Sequence, residues 1–117
     1  MSDDPETRRL TYLRDTIALI EDRARAGRDA LFGDVDGRDA MLWRLYTLAD
    51  AASQLSDELK GRHPEIPWEQ VRGFRNVAAH GYLRIALDLA WEIIETHLPI
   101  MKTAIERELR DRGPEVA

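Results

Sequence analysis

Apolar residues recur at steps of three and four along almost the whole chain, a rhythm that suits helices and little else. Leu10, Leu13, Ile17, Ile20 and Ala24 form the first stripe. Met41, Leu45, Leu48, Ala52, Leu55 and Leu59 form a second, and Trp68, Val71, Phe74 and Ala78 a third. Leu87, Trp91, Ile94, Leu98, Met101, Ile105 and Leu109 form a fourth. On a strand, side chains alternate faces at every step, so this spacing would scatter them over both sides of a sheet. No segment shows strand-like alternation, repeats or low complexity. The pattern predicts an all-α fold: four main helices packed as a bundle, with one or two short helical turns, and short connections that favour antiparallel neighbours.

Breakers and caps mark the boundaries. Asp3 or Asp4 can cap the first helix, with Pro5 in its first turn where a missing N–H costs nothing. Gly27 ends it, and Arg28 to Phe32 can add one more turn. The stretch 33–40 reads as a loop whose Asp36 caps a second helix running on to Gly61. Residues 61–67 form a connection with two prolines, and Pro67 opens a third helix that Gly81 stops after His80. The last helix runs from about Ile85 to Arg110, and Pro99 within it should kink or split it near His97.

At 117 residues the chain suits one domain, 1–117, large enough to hold a core without staples. It has no cysteine, which excludes disulfides, thiolate zinc sites and cysteine nucleophiles. No apolar run approaches the roughly 20 residues of a membrane span, and MSDDPETRRL lacks the apolar stretch of a signal peptide, so the expected address is the cytoplasm and no membrane partner is expected. The net charge of −5 argues against a bulk electrostatic nucleic-acid binder. The charge is uneven, however. Residues 60–84 carry Lys60, Arg62, Arg72, Arg75 and Arg84 against Glu65 and Glu69, a local +3 on an acidic body. A phosphate site and a chance cluster of solvated arginines are both open on this count.

The segment that can carry chemistry is Arg72-Gly73-Phe74-Arg75-Asn76-Val77-Ala78-Ala79-His80-Gly81-Tyr82. On a helix, Asn76 and His80 lie one turn apart on one face, and the long side chain of Arg75 can reach the same face. Arginine binds phosphate through a planar fork, histidine titrates near neutrality, and asparagine can orient a hydroxyl or a phosphate oxygen. Such a set suits attack of an RNA 2′-hydroxyl on the adjacent phosphate, which needs no metal or other cofactor but does need one acid and one base. The motif holds one histidine, so a two-fold dimer would supply the second group. A plainer reading stays open: His80 stabilises a helix C-terminus, Arg75 pairs with Asp50 or Glu69, and Tyr82 is an ordinary bundle aromatic.

The segment from Pro64 to Pro99 resembles the core of the HepT-like family of the HEPN superfamily. The matching residues are Ile66-Pro67-Trp68, Arg75-Asn76, His80, Tyr82, Trp91 and Leu98-Pro99. Tyr12-Leu13-Arg14-Asp15 with Ile17, and Arg44-Leu45, are similar to the family as well. The resemblance implies a four-helix up-and-down bundle that forms a homodimer. It implies the toxin half of a type II toxin–antitoxin pair, a metal-independent endoribonuclease with its motif at the dimer cleft. By that likeness His80 is the acid or base, Arg75 stabilises the phosphate and Asn76 helps position it. The implied partner is a cognate nucleotidyltransferase antitoxin of the MntA type that transfers AMP to Tyr82, placing negative charge beside Arg75 and His80 to exclude RNA. One departure stands out. The family commonly carries Gly-Glu-Ala on the second helix and this chain carries Ala49-Asp50-Ala51, an acid one methylene shorter. Asp50 is therefore a supporting candidate only, and Arg72 is a second supporting candidate. The alternative is a non-catalytic nucleotide- or partner-binding subunit of a nucleotidyltransferase complex.

The remaining notable residues read more plainly. His63, in a proline-rich connection, is expected in solvent, and His97 is expected to satisfy the kink beside Pro99. The three histidines show no metal-like pairing. Trp68 and Trp91 are expected in the core, while Trp43 suits either an interface or the core.

Overall fold

The computed structural model describes residues 4–79 and 83–113. These residues are all-α: helices α1 Pro5–Ala24, α2 Arg28–Phe32, α3 Val35–Ser53, α4 Asp57–Gly61, α5 Trp68–Ala79, α6 Leu83–Glu92 and α7 Leu98–Asp111, with a π-helical turn at Ile93–His97. Among the described residues there is no strand. No described helix is long and apolar enough to cross a membrane.

Local chemistry explains the boundaries. Asp4 caps α1 by accepting the Thr7 amide at 2.9 Å and the Thr7 hydroxyl at 3.0 Å. Those bonds, the amide's first, hold the Asp4 carboxyl below its ordinary value. Gly27 separates α1 from α2 with φ at 95°, a left-handed conformation that suits glycine. The cap of α3 is Asp34, which accepts the Gly37 amide at 2.8 Å, and not Asp36, which lies inside the first turn. Both aspartates precede the apolar run, and the one two positions earlier reaches the free amide.

The second stripe does not lie on one helix. α3 stops at Ser53, and a separate short helix, α4, starts after Ser56. The Ser53 hydroxyl bonds back to the Asp50 carbonyl at 2.7 Å, and Ser56 caps α4 through the Leu59 amide at 3.1 Å. Glu6 of α1 accepts the Ser56 amide at 2.7 Å and fixes the corner. Leu55 within the corner and Leu59 beyond it are both buried, so the apolar rhythm continues although the helix does not.

At Pro99, where a kink or split is expected, the regular α-helical pattern gives way to a π-helical turn. Proline cannot donate a backbone hydrogen bond, and the helix widens into the π turn just before it, where the Leu98 amide donates to Ile93 O, five residues back. His97 ends that turn and is buried.

α1 packs on α3 and α7, α3 on α5, and α5 on α6, while the π turn touches α1. Leu10, Leu13, Ile17, Ile20, Leu48, Phe74, Leu98 and Met101 are wholly excluded from solvent. Each such aliphatic side chain contributes roughly 1.5–3 kcal/mol relative to exposure. Trp68 and Trp91 are partly buried against this core, and Trp91 meets Phe32 edge-on at 6.4 Å. Trp43 is 65% exposed, which excludes the core reading, and it stacks on Tyr46 at 5.6 Å.

The expectation for His63 is overturned: it is 5% exposed. Its Nε2 lies 2.7 Å from Glu108 Oε2 on α7. Arg62 donates to the same carboxylate through Nε at 3.0 Å and Nη2 at 2.8 Å. Arg62 first, with help from His63, holds the Glu108 carboxyl down at about 2 against the opposing effect of burial. Next to this cluster Arg112 donates to Glu6 at 3.0 Å and to the Thr7 hydroxyl at 3.2 Å, tying the end of α7 to the start of α1.

Candidate functional site

α5 carries most of the candidate residues, and its two faces differ sharply. Val71 and Phe74 are buried, and Phe74 has no exposed surface. The Trp68 indole N–H donates to the Lys60 carbonyl at 3.2 Å and the His63 carbonyl at 3.1 Å, pinning the first turn to the end of α4. The outer face carries Arg72 and Asn76, both exposed, with Arg75 half-buried at its edge.

Arg75 faces α3. Its Nη2 lies 3.5 Å from Asp50 Oδ1, so of the two carboxylates open in the sequence Asp50 is the partner and not Glu69. Gln54 donates to the other Asp50 oxygen at 3.0 Å and holds that carboxylate in place. The Arg75 Nε is buried and has no hydrogen-bond partner among the described residues. Among the described residues the guanidinium is thus located by one loose ion pair and keeps donor capacity in reserve. Arg72 meets Glu69 at 3.5 Å, with both side chains largely in solvent. Pairs of that kind are worth little and exchange readily for another anion.

Beside Arg75 is a surface pocket of about 400 Å³ whose wall includes Ser53 of α3, Lys60 of α4, and Arg72 and Arg75 of α5. Lys60 is fixed there by its own bond to the Ser53 carbonyl at 2.9 Å. Lys60 belongs to the basic stretch seen in the sequence, but its approach to Arg75 depends on the corner between α3 and α4.

The structure therefore brings Asp50 to Arg75 and sets Arg72 and Asn76 on the same side of α5. His80 and Tyr82, named by the sequence motif, lie outside the described residues. The pairing of His63 with Glu108 had no local sequence signal, because the partners are 45 residues apart.

An all-α chain with an arginine-bearing amphipathic helix laid along a second long helix is the class that the geometry defines. The family model for HepT-like ribonucleases matches residues 13–108, and the chain belongs to that family. A protein of Thermococcus cleftensis named as a probable ribonuclease HepT is 25% identical over 100 residues, covering 82% of this chain and 91% of its own. A protein of Methanocaldococcus jannaschii named as a gamma-glutamylcyclotransferase and candidate RNase is 26% identical over 97 residues, covering 82% of this chain and 44% of its own. A second protein of that organism, named as a candidate RNase, is 28% identical over 69 residues, 59% of this chain and 63% of its own. The chain thus spans under two thirds of both Methanocaldococcus relatives. No solved structure matches it.

Proposed function

We propose that this chain is a metal-independent endoribonuclease, the toxin component of a type II toxin–antitoxin pair acting in the cytoplasm. The whole chain, 1–117, would be a single HEPN domain of the HepT-like kind, a four-helix up-and-down bundle working as a homodimer. The observation that carries the reading is the family match over residues 13–108, a span that contains Arg75, Asn76 and His80.

The chemistry follows from the residue types. A base removes the proton from an RNA 2′-hydroxyl, and its oxygen attacks the neighbouring phosphorus. An acid protonates the departing 5′-oxygen, leaving a 2′,3′-cyclic phosphate on one fragment and a 5′-hydroxyl on the other. His80 of one protomer and His80 of its partner supply the two roles. Arg75 binds the phosphate as negative charge builds on it, and Asn76 positions the oxygens. Asp50 holds Arg75 in the absence of substrate and Arg72 adds positive charge nearby. The cognate nucleotidyltransferase antitoxin transfers AMP from ATP to the Tyr82 hydroxyl oxygen, with release of pyrophosphate, and the added phosphate occupies the anion site.

The test measures RNA cleavage by the purified chain alone, and intact mass after incubation with ATP and the antitoxin. Arg75→Ala and His80→Ala should each abolish cleavage and growth arrest while helicity is retained. Wild-type protein that cleaves no RNA in the absence of antitoxin would end the ribonuclease reading. A second reading, a non-catalytic nucleotide- or partner-binding subunit, draws support from the net charge of −5 and from the pairing of Arg75 with Asp50. It expects the complex and the added AMP at Tyr82, with no cleavage.

A further inference from the structure

The pocket at the corner of α3, α4 and α5 extends the site just described, because it sets Lys60, which has no part in that reaction, beside Arg72 and Arg75. Lys60, Arg72 and Arg75 come from two helices and line one opening, with Asp57 and Glu69 as its acidic wall residues among those described. A net positive pocket on a chain of net charge −5 is a local reversal of sign. Among the described residues, none of the three cations is neutralised by a tight carboxylate bond. The Lys60 ammonium is held by a carbonyl, the Arg72–Glu69 contact is 3.5 Å and largely exposed, and the Arg75–Asp50 contact is also 3.5 Å. The buried Nε of Arg75 is unpartnered among the described residues.

Arg72 and Arg75 are three residues apart on α5, which places their Cβ atoms about 5–6 Å from each other on neighbouring parts of one face. Lys60 lines the same pocket from α4, with its carbonyl accepting from the Trp68 indole and its ammonium donating to the Ser53 carbonyl. Lys60 is therefore positioned by backbone contacts rather than by a long free side chain alone.

We propose that this pocket is a second phosphate subsite, in which Lys60 and Arg72 hold the RNA phosphate next to the one that Arg75 receives. The inference rests on the ribonuclease reading for the identity of its ligand. The subsite sets the register of the RNA strand: one phosphate is drawn to the N-terminal half of α5, so the next is presented to Arg75 and the residues that follow it. Asp57 and Glu69 weaken the site enough for the product to leave.

The test uses the full-length protein and fluorescence anisotropy with a fully 2′-O-methylated RNA oligonucleotide, which cannot be cleaved by its own 2′-oxygen. Lys60→Gln keeps a donor for the Ser53 carbonyl and removes the charge, and Arg72→Gln does the same at an exposed position. Each should weaken binding roughly two- to fivefold at low salt. Each should also reduce the slope of log affinity against log salt by about 0.7, the value for one phosphate contact on a single strand. Glu69→Gln and Asp57→Asn should tighten binding, a gain that a merely structural role would not produce. Slopes unchanged in both Lys60→Gln and Arg72→Gln overturn the subsite, as does wild-type protein that binds no RNA. Binding displaced equally by inorganic phosphate and by the oligonucleotide at the same concentration also overturns it, because a strand bridging two sites must outcompete a single ion. Cleavage of unmodified RNA separates the two ideas. Wild-type protein that shows these slopes but cuts nothing keeps the subsite and sinks the ribonuclease reading. Cleavage with unaltered slopes in the variants sinks the subsite alone.

Discussion

The Arg75 guanidinium lies 3.5 Å from the Asp50 carboxylate across the contact between α3 and α5. The distance exceeds that of a good charge-assisted hydrogen bond, and both side chains are more than a third exposed. Such a pair contributes at most about 1 kcal/mol to stability. It also competes with phosphate for the arginine. Asp50→Asn should therefore shift the unfolding free energy by less than about 1 kcal/mol while tightening RNA binding severalfold at low salt. Urea titration and anisotropy on the same preparation check both halves. Weaker binding by a fully folded Asp50→Asn protein would show that the carboxylate orients Arg75 rather than screening it.

The second prediction concerns the Glu108 cluster. That carboxylate is 7% exposed and accepts from Arg62 and His63 at 2.7–3.0 Å. Hydrogen bonds to charged groups contribute roughly 1.5–3 kcal/mol each, and a partner left behind in the interior is costly. Glu108→Gln should lower stability by about 2–3 kcal/mol. Glu58, which touches Arg62 from an exposed position at 3.3 Å, provides the control. Glu58→Gln should cost no more than about 0.5 kcal/mol. Equal losses in the two variants would mean that the cluster is not the tie between the α4–α5 connection and α7.

The same carboxylate sets an acid limit. Arg62, then His63, hold its folded-state value down at about 2 against an ordinary 4.5. A carboxyl with a depressed folded value gives stability that is complete above the unfolded value and disappears as the pH falls toward the folded one. The contribution should therefore be constant above about pH 5 and fall away between about pH 4.5 and pH 2. In Glu108→Gln, stability should vary less with pH across that window. Parallel denaturation profiles of the two proteins from pH 5 to pH 2 would contradict the assignment.

The stripes at Leu10–Ala24 and Trp68–Ala78 translate directly into α1 and α5, because a three–four rhythm on one segment has one compact solution. The corner at Ser53–Ser56 is hidden because Leu55 and Leu59 stay buried across it. Its signal was present: Ser56 precedes Asp57 and Glu58, a serine before an acidic first turn. The burial of His63 is hidden from the sequence for a different reason. A histidine between prolines looks solvated when the carboxylate that buries it lies on α7. The same limit applies to the candidate site. Arg75 and Asp50 could be named as partners from their residue types. The approach of Lys60 to Arg72 depends on the α3–α4 corner, which periodicity alone does not reveal.

The last prediction separates scaffold from site on α5. Phe74 precedes Arg75 and is fully buried, so it anchors the face opposite the arginines. Phe74→Ala should destabilise the chain by about 3–5 kcal/mol, through lost transfer energy and the cavity left behind. Phe74→Leu, which fills most of the space, should cost far less, on the order of 1 kcal/mol. Arg75→Ala, half-exposed and loosely paired, should cost no more than about 1 kcal/mol. RNA binding should follow the folded fraction in the Phe74 variants and fall independently of it in Arg75→Ala. Urea titrations run beside binding measurements check this. If binding by Arg75→Ala recovers fully once its folded fraction is matched to wild type, the arginine is part of the scaffold, and the case for a phosphate site on this helix fails.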